Sequence, residues 1–193
     1  MAQDLDQDAA PSGPSGVATH SRDNTQGEDQ RFPEISLRPE RADDAGFLAT
    51  LFRSSALPDL ALLPVDDGMK ESLLRMQFAS QTATYRSEYP HARFEIIEHG
   101  GKPIGRLVVD AGDEAGCIVD LALLAECRGG GLGTAILAAA VAPFARLKRP
   151  VLCKVLARNE ASLRMCRRVG FVQIDSIPPF LQLEWRPPDV DAS

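Results

Sequence analysis

The residues with the clearest chemical meaning are Arg128-Gly129-Gly130-Gly131-Leu132-Gly133-Thr134, a glycine cluster behind a cationic side chain. They follow an apolar strand-like run, Gly116–Leu124, and open an Ala/Leu-rich helical segment at 131–146. A helix N-terminus presents N–H groups without intrahelical partners, together with the positive end of the helix dipole. Glycines let the backbone approach an anion closely, so strand, glycine cluster and helix in this order form a phosphate-binding arrangement. Arg128 adds a full charge at its mouth. A helix-entry turn without a ligand is the plainer alternative. Two nucleotide signatures are excluded. A P-loop needs Gly-Lys-Ser/Thr, and Gly133 is followed by Thr134-Ala135. A dinucleotide fingerprint needs a third glycine where Thr134 or Ile136 stands.

Asp120 is the most informative acid. It interrupts the apolar run Ile118-Val119-Asp120-Leu121-Ala122-Leu123, and simple alternation gives it the same face as Ile118 and Ala122. A carboxylate there is either paired or partly desolvated, and desolvation moves it toward general-base range. A structural Asp held by backbone N–H or an arginine is the alternative. Glu95 and Glu98 point to opposite faces of one strand, as cation contacts or as a solvated edge. Cys117, Cys127, Cys153 and Cys166 form no C-x-x-C pair, and His20, His91 and His99 do not cluster with them, so no metal site or disulfide framework is implied.

The elements that must position these groups run from Glu34 to Pro187 as one domain. A short strand at 34–38 precedes helices at 40–54 and about 66–86, joined by a Pro-containing stretch at 57–64. Segments 92–99 and 102–110 flank Gly100-Gly101 as a β-hairpin. Strand 116–124, helix 131–146 and strand 150–157 form a crossover with parallel strands. Asn159 caps a helix that Gly170 ends, and strands near 171–175 and 180–186 close the domain. Residues 1–33 are polar with almost no large apolar side chains and read as a disordered tail, while 188–193 form a short C-terminal tail.

Charge is distributed unevenly. The chain carries −6 overall, yet residues 127–168 hold nine Lys/Arg against the single acid Glu160. That suits an anionic ligand on one side and a cationic substrate on the other, or else solvated helix faces. With 44% hydrophobic residues and no apolar run near ~18 residues, no membrane partner is expected. The acidic, polar N-terminus is unlike a secretory signal, which leaves a cytoplasmic location as the expectation. An acidic whole without aromatic interleaving argues against nucleic acid.

Arg128-x-x-Gly131-x-Gly133 resembles the Q/R-x-x-G-x-G/A signature of GNAT acetyltransferases, and Asn159 followed by Gly170-Phe171 resembles their second signature. The element order from Ile35 to Trp185 is similar too. The resemblance implies a mixed α/β fold: a twisted mixed sheet of roughly six to seven strands with about four helices, its parallel pair 116–124 and 150–157 splayed. It implies an N-acetyltransferase using acetyl-CoA as co-substrate, without metal, on a small-molecule or peptide amine. Residues Arg128 to Thr134 would hold the CoA pyrophosphate. Backbone groups near Leu123 and Leu124 would hold pantetheine and the acetyl carbonyl, and Asn159 the pantetheine or a water. Members often use an acid in the Asp120 strand to deprotonate the amine. Many carry a Tyr seven residues after the helix-opening Asn to protonate the thiolate; here that place is Cys166, either a short acid or a small packing residue. Tyr85 and Tyr89 fall near the helix that tends to wall the acceptor site. A catalytically weak acyl-CoA sensor is the competing reading, and Cys166 is its argument.

Overall fold

Seven strands form one sheet in the order β1-β2-β3-β4-β5-β7-β6. In this computed structural model residues 32, 34–60 and 64–188 are described, and both tails read from the sequence lie outside them apart from Phe32 and Pro188. The strands are β1 Ile35–Pro39, β2 Arg93–His99, β3 Lys102–Asp110, β4 Gly116–Leu123, β5 Val151–Leu156, β6 Val172–Ile177 and β7 Phe180–Trp185. Helices α1 Ala45–Leu60 and α2 Asp67–Glu88 precede β2, α3 Leu132–Arg146 joins β4 to β5, and α4 Glu160–Val169 follows β5. All pairings are antiparallel except β4 with β5. The expected mixed architecture is therefore present. The first helix differs: it begins later than expected and continues into the 57–64 stretch as far as Leu60.

Local chemistry accounts for the punctuation. Gly100 and Gly101, at φ 55° and 75°, make the two-residue turn between β2 and β3 that needs positive φ at both places. Asn159 accepts a hydrogen bond from the Ser162 N–H at the start of α4. At its end Gly170 turns left-handed, and the Phe171 N–H reaches back to the Cys166 carbonyl. Phe171 then enters the core, only 2% exposed.

The sheet is covered on both sides, which is why β3 is buried without interruption from Ile104 to Val109. On one face Ile97, Leu107, Val109 and Ile118 meet Ile136, Leu137 and Phe144 of α3. On the other, Ile96 meets Leu48 and Leu51 of α1. Arg38 of β1 bonds Glu98 of β2 and both carboxylate oxygens of Asp44 before α1. These bonds hold the Asp44 carboxyl down at about 2 and fix where α1 starts over the sheet.

Alternation along β4 is broken. Val108 opposes Asp120 while Val109 opposes Ile118, so Val119 is an extra residue bulged out of the ladder. Ile118 and Asp120 therefore point to opposite faces, which corrects the expectation that they share one. Ile118, Leu121 and Leu123 join the α3 side, whereas Asp120, Ala122 and Leu124 belong to the α1 side.

Gly116 shows how closely α3 approaches the sheet: a Cβ there would lie 2.3 Å from the Phe144 ring. Gly116→Ala should lower stability by roughly 1–3 kcal/mol through forced displacement of Phe144. In contrast Gly46 in α1 has no atom within 4 Å of such a Cβ, and Gly46→Ala should raise stability by roughly 0.5 kcal/mol. Urea denaturation of both variants checks the opposite signs.

Candidate active site

The parallel pair holds together for only three residues, Gly116–Ile118 against Val151–Cys153. Beyond them β4 continues to Leu123 beside β3, and β5 continues to Leu156 beside β7. A wedge opens between the two strand ends, as the splayed pair anticipated. Its β4 edge is set by alternation. The Leu124 N–H donates to the Ile104 carbonyl across the ladder, so the backbone groups of Leu123 face the other way, into the wedge. Leu123 can thus offer its N–H there. Leu124 cannot, because its N–H serves Ile104 and its carbonyl accepts from the Cys127 N–H.

The glycine loop closes the wide end of the wedge. Gly129 and Gly131 both have φ 88°, where an L side chain is strained. Gly130 has no such requirement, and a Cβ on any of these three would meet nothing within 4 Å. Their outer side is open, so glycine at 130 keeps a surface bare that the fold itself leaves unfilled. Gly133 differs; its Cβ would come 3.0 Å from the Met165 sulfur, so it serves the packing of α3 on α4. No side chain caps the start of α3, leaving the amides of Leu132, Gly133 and Thr134 for an anion. Arg128 is placed differently from the sequence expectation. Its Nε donates to the Leu123 carbonyl at 2.8 Å, and Nη2 reaches Ser54 and Ser55 of α1 at 3.3 and 3.1 Å. It ties loop, strand end and helix together instead of standing at the mouth.

On the α1 side of the same strand lies a cavity of about 220 Å³. Leu48, Leu51, Phe52, Ala122 and Leu156 supply apolar walls; Ser55, Gln81, Arg106 and Asp120 are its polar groups. Asp120 is paired: Arg106 Nε and Nη2 donate to its Oδ2 at 2.9 and 2.6 Å, and Nη2 also reaches the Gln81 side-chain oxygen at 3.2 Å. The Arg106 side chain is 7% exposed and that of Asp120 19%. Tyr85 lies against the guanidinium, with its ring centroid 5.7 Å away, and burial, followed by the Asp120 charge, pushes its hydroxyl well above the ordinary range. Tyr89, further along α2, is pushed up to about 12 by burial and by its contact with Cys117.

The structure brings Asp120, Leu123, Arg128 and the loop around one strand end, but not all expected residues join them. Cys166 is in the core at 3% exposure, its sulfur 4.0 Å from that of Cys153. That contact, with burial, holds the Cys153 thiol up. Asn159 has its side-chain oxygen engaged as the α4 cap. Glu98 is bound by Arg38, and Glu95 lies on the opposite face of β2, outside the cavity lining. Sequence reasoning missed Arg106 and Gln81. A signal existed for the arginine: it is the one charge inside Ile104–Val109, on a hairpin strand adjacent to the one carrying Asp120. Among the described residues no group of His, Cys, Asp and Glu could hold a metal, and no helix is long and apolar enough to cross a membrane.

A mixed sheet whose parallel pair splays beside a glycine-rich helix start defines the architecture of acyl-CoA-dependent N-acyltransferases. The chain belongs to the acetyltransferase (GNAT) family, whose sequence pattern matches residues 66–171, more than half its length. Solved structures similar to it include a PaiA N-acetyltransferase from Thermoplasma acidophilum in complex with coenzyme A, 16% identical. That match covers 79% of this chain and 98% of the other at a TM-score of 0.61. An acetyltransferase from Thermus thermophilus is 19% identical over 79% of this chain and 96% of the other, with a TM-score of 0.57. RimL, a ribosomal alpha-N-protein acetyltransferase in complex with coenzyme A, is 18% identical over 79% and 94%, with a TM-score of 0.54. At these identities the likeness carries the fold. A comparison with curated proteins gives no match.

The ion pair at the cavity floor gives a stability test. Arg106→Met strands the Asp120 carboxylate and should cost about 3 kcal/mol or more, whereas Arg106→Met with Asp120→Leu should recover most of it. Chemical denaturation of the two variants decides; equal losses would mean that the charges do not compensate each other.

Proposed function

We propose that the chain moves an acetyl group from acetyl-CoA to a primary amine by direct attack in a ternary complex. The observation that carries this reading is the position of the Leu123 backbone, between the bare glycine loop on one side and the Asp120 cavity on the other. A thioester lying along the wedge and an amine in the cavity would meet at one strand end, which is what bimolecular acyl transfer requires.

In this reading the amides from Gly129 to Thr134 hold the CoA pyrophosphate. The Leu123 N–H donates to pantetheine or to the thioester oxygen as negative charge develops there. Arg128 is a positioning residue, since it holds the Leu123 carbonyl and ties α1 to the loop. Asp120 receives the amine through Oδ1, the oxygen Arg106 leaves untouched, and takes its proton directly or through water. The N–C bond forms, the C–S bond breaks, and the departing thiolate is protonated. With Cys166 buried against Cys153, we assign it to packing and give that last proton to water. Asn159 is assigned to its cap. The acceptor is a small molecule or a peptide amine, and the cytoplasmic setting expected from the sequence belongs to the same reading.

Acetyl-CoA at about 100 times its Kd should stabilise the protein by about 2.7 kcal/mol, a rise in Tm of roughly 5 °C or more. Gly130→Asp is the control, because the site is neither strained nor crowded yet an anion would stand against the phosphates; its own Tm should be nearly unchanged and the shift lost. Asp120→Asn should lower turnover of an accepted amine by about 100-fold or more. Saturable binding without turnover on any amine would favour the sensor, and absence of stabilisation by any acyl-CoA would sink the enzyme reading.

A further inference from the structure

The cavity has a composition that restricts its occupant. Among its described lining residues Arg106 and Asp120 are the only charged ones, and apart from Ser55 and Gln81 the others present aliphatic and aromatic carbon. The two charges sum to zero, so this lining offers no net negative charge to draw in a polyamine or a lysine-rich segment, which would need unpaired carboxylates. Each partner also has capacity to spare. Arg106 uses Nε and Nη2 on Asp120 and Gln81, and among the described residues no hydrogen bond is made by its Nη1. Asp120 accepts through Oδ2, and no described group bonds its Oδ1. The pair therefore carries a guanidinium N–H that can still donate and a carboxylate oxygen that can still accept.

We propose that the acceptor is a free α-amino acid with an apolar side chain, its carboxylate bound by Arg106 and its amino group by Asp120. This rests on the acetyl-transfer reading of the same site. The two ligand groups sit on one carbon, which matches two protein groups already in contact. The side chain extends between Leu51, Phe52 and Leu156. Size agrees: about 220 Å³ is below the ~300–1,000 Å³ of sites for drug-sized ligands, which suits a small acceptor. Gln81 holds Arg106 from the α2 side, so the fork presents Nη1 in one orientation. Amines lacking the carboxylate would leave that N–H without the partner the amino acid supplies, and a site built to bond a polar group discriminates against analogues that lack it.

The test compares each of L-leucine, L-methionine and L-phenylalanine with its decarboxylated amine and its carboxamide, using acetyl-CoA and wild-type protein. The expected result is a kcat/KM about 100-fold or more higher for the amino acid than for either analogue. Arg106→Lys, which keeps the charge beside Asp120 but removes the planar fork, should shrink that ratio at least tenfold, chiefly through KM for the amino acid. Amines acetylated as well as amino acids would overturn the assignment and leave acetyl transfer standing. Carboxamides matching the free acids would overturn it in favour of a peptide N-terminus. Calorimetry with CoA-saturated protein covers the case in which nothing turns over: binding of amino acids but not of amines supports the assignment, and binding of neither overturns it. Loss of acetyl-CoA binding itself would be seen separately, as failure of the transfer reading.

Discussion

The rest of the site depends on how early β4 and β5 stop pairing. Three residues of parallel ladder, Gly116–Ile118 on Val151–Cys153, hold the two halves of the sheet together. A longer ladder would satisfy more backbone groups and leave no wedge. What ends it is the extra residue at Val119, which increases twist and bends β4 away along β3. The same insertion reverses the facing of everything after it. Asp120 leaves the α3 side, where it would have been a charge in an apolar core, and arrives under α1 beside Arg106. One residue thus opens the wedge and furnishes the charged pair of the cavity under α1. The glycine at the strand's start belongs to the same constraint, since Phe144 anchors α3 against Gly116 where the pair is still joined.

Arg106 and Asp120 show why a buried acid cannot be assigned a role from its own position alone. Removing both charges from water is expensive, and their mutual bonds offset that cost only while both are present. In the sequence Asp120 is a lone acid in an apolar run. With two guanidinium bonds on Oδ2 it is instead a fixed anion with one oxygen to offer. Fixed geometry of this kind suits orientation of an amine, and in the proposed reading it makes the arginine part of the acceptor site.

Most of the architecture was legible because it is written in local patterns. Gly100-Gly101 between alternating runs specifies a hairpin, and a strand followed by a glycine cluster and an Ala/Leu helix specifies a crossover. The unreadable parts are those where one residue changes parity or where a long side chain chooses among partners. Nothing in the composition of Ile118-Val119-Asp120 marks a bulge, and period-two reasoning then puts Asp120 on the wrong face. The pairing of Arg106 with Asp120 requires the β3–β4 register, which the bulge shifts. Cys166 lies on the buried side of α4, where its small thiol fits against Cys153 on β5; the helix pattern gives its depth but not its neighbour. The Pro-containing stretch 57–64 favours a helix end before it, yet α1 runs on to Leu60.

Arg128 carries this reasoning furthest. As a motif residue it looks like a cation for phosphate, and a flexible surface arginine would serve that purpose from many positions. Here its fork is occupied by a strand carbonyl and two helix hydroxyls, so it is a tie among three elements. Ser55, one of those hydroxyls, also lines the cavity. The glycine loop and the helix that walls the cavity are therefore joined through a single side chain, without a shared covalent segment. Because the bonds come from one rigid plane, displacing the loop changes the geometry at Leu123 and at α1 together. In the proposed reading phosphate attraction rests on backbone amides and bare glycines, whose orientation costs no side-chain entropy, while the arginine maintains the shape in which donor and acceptor would meet.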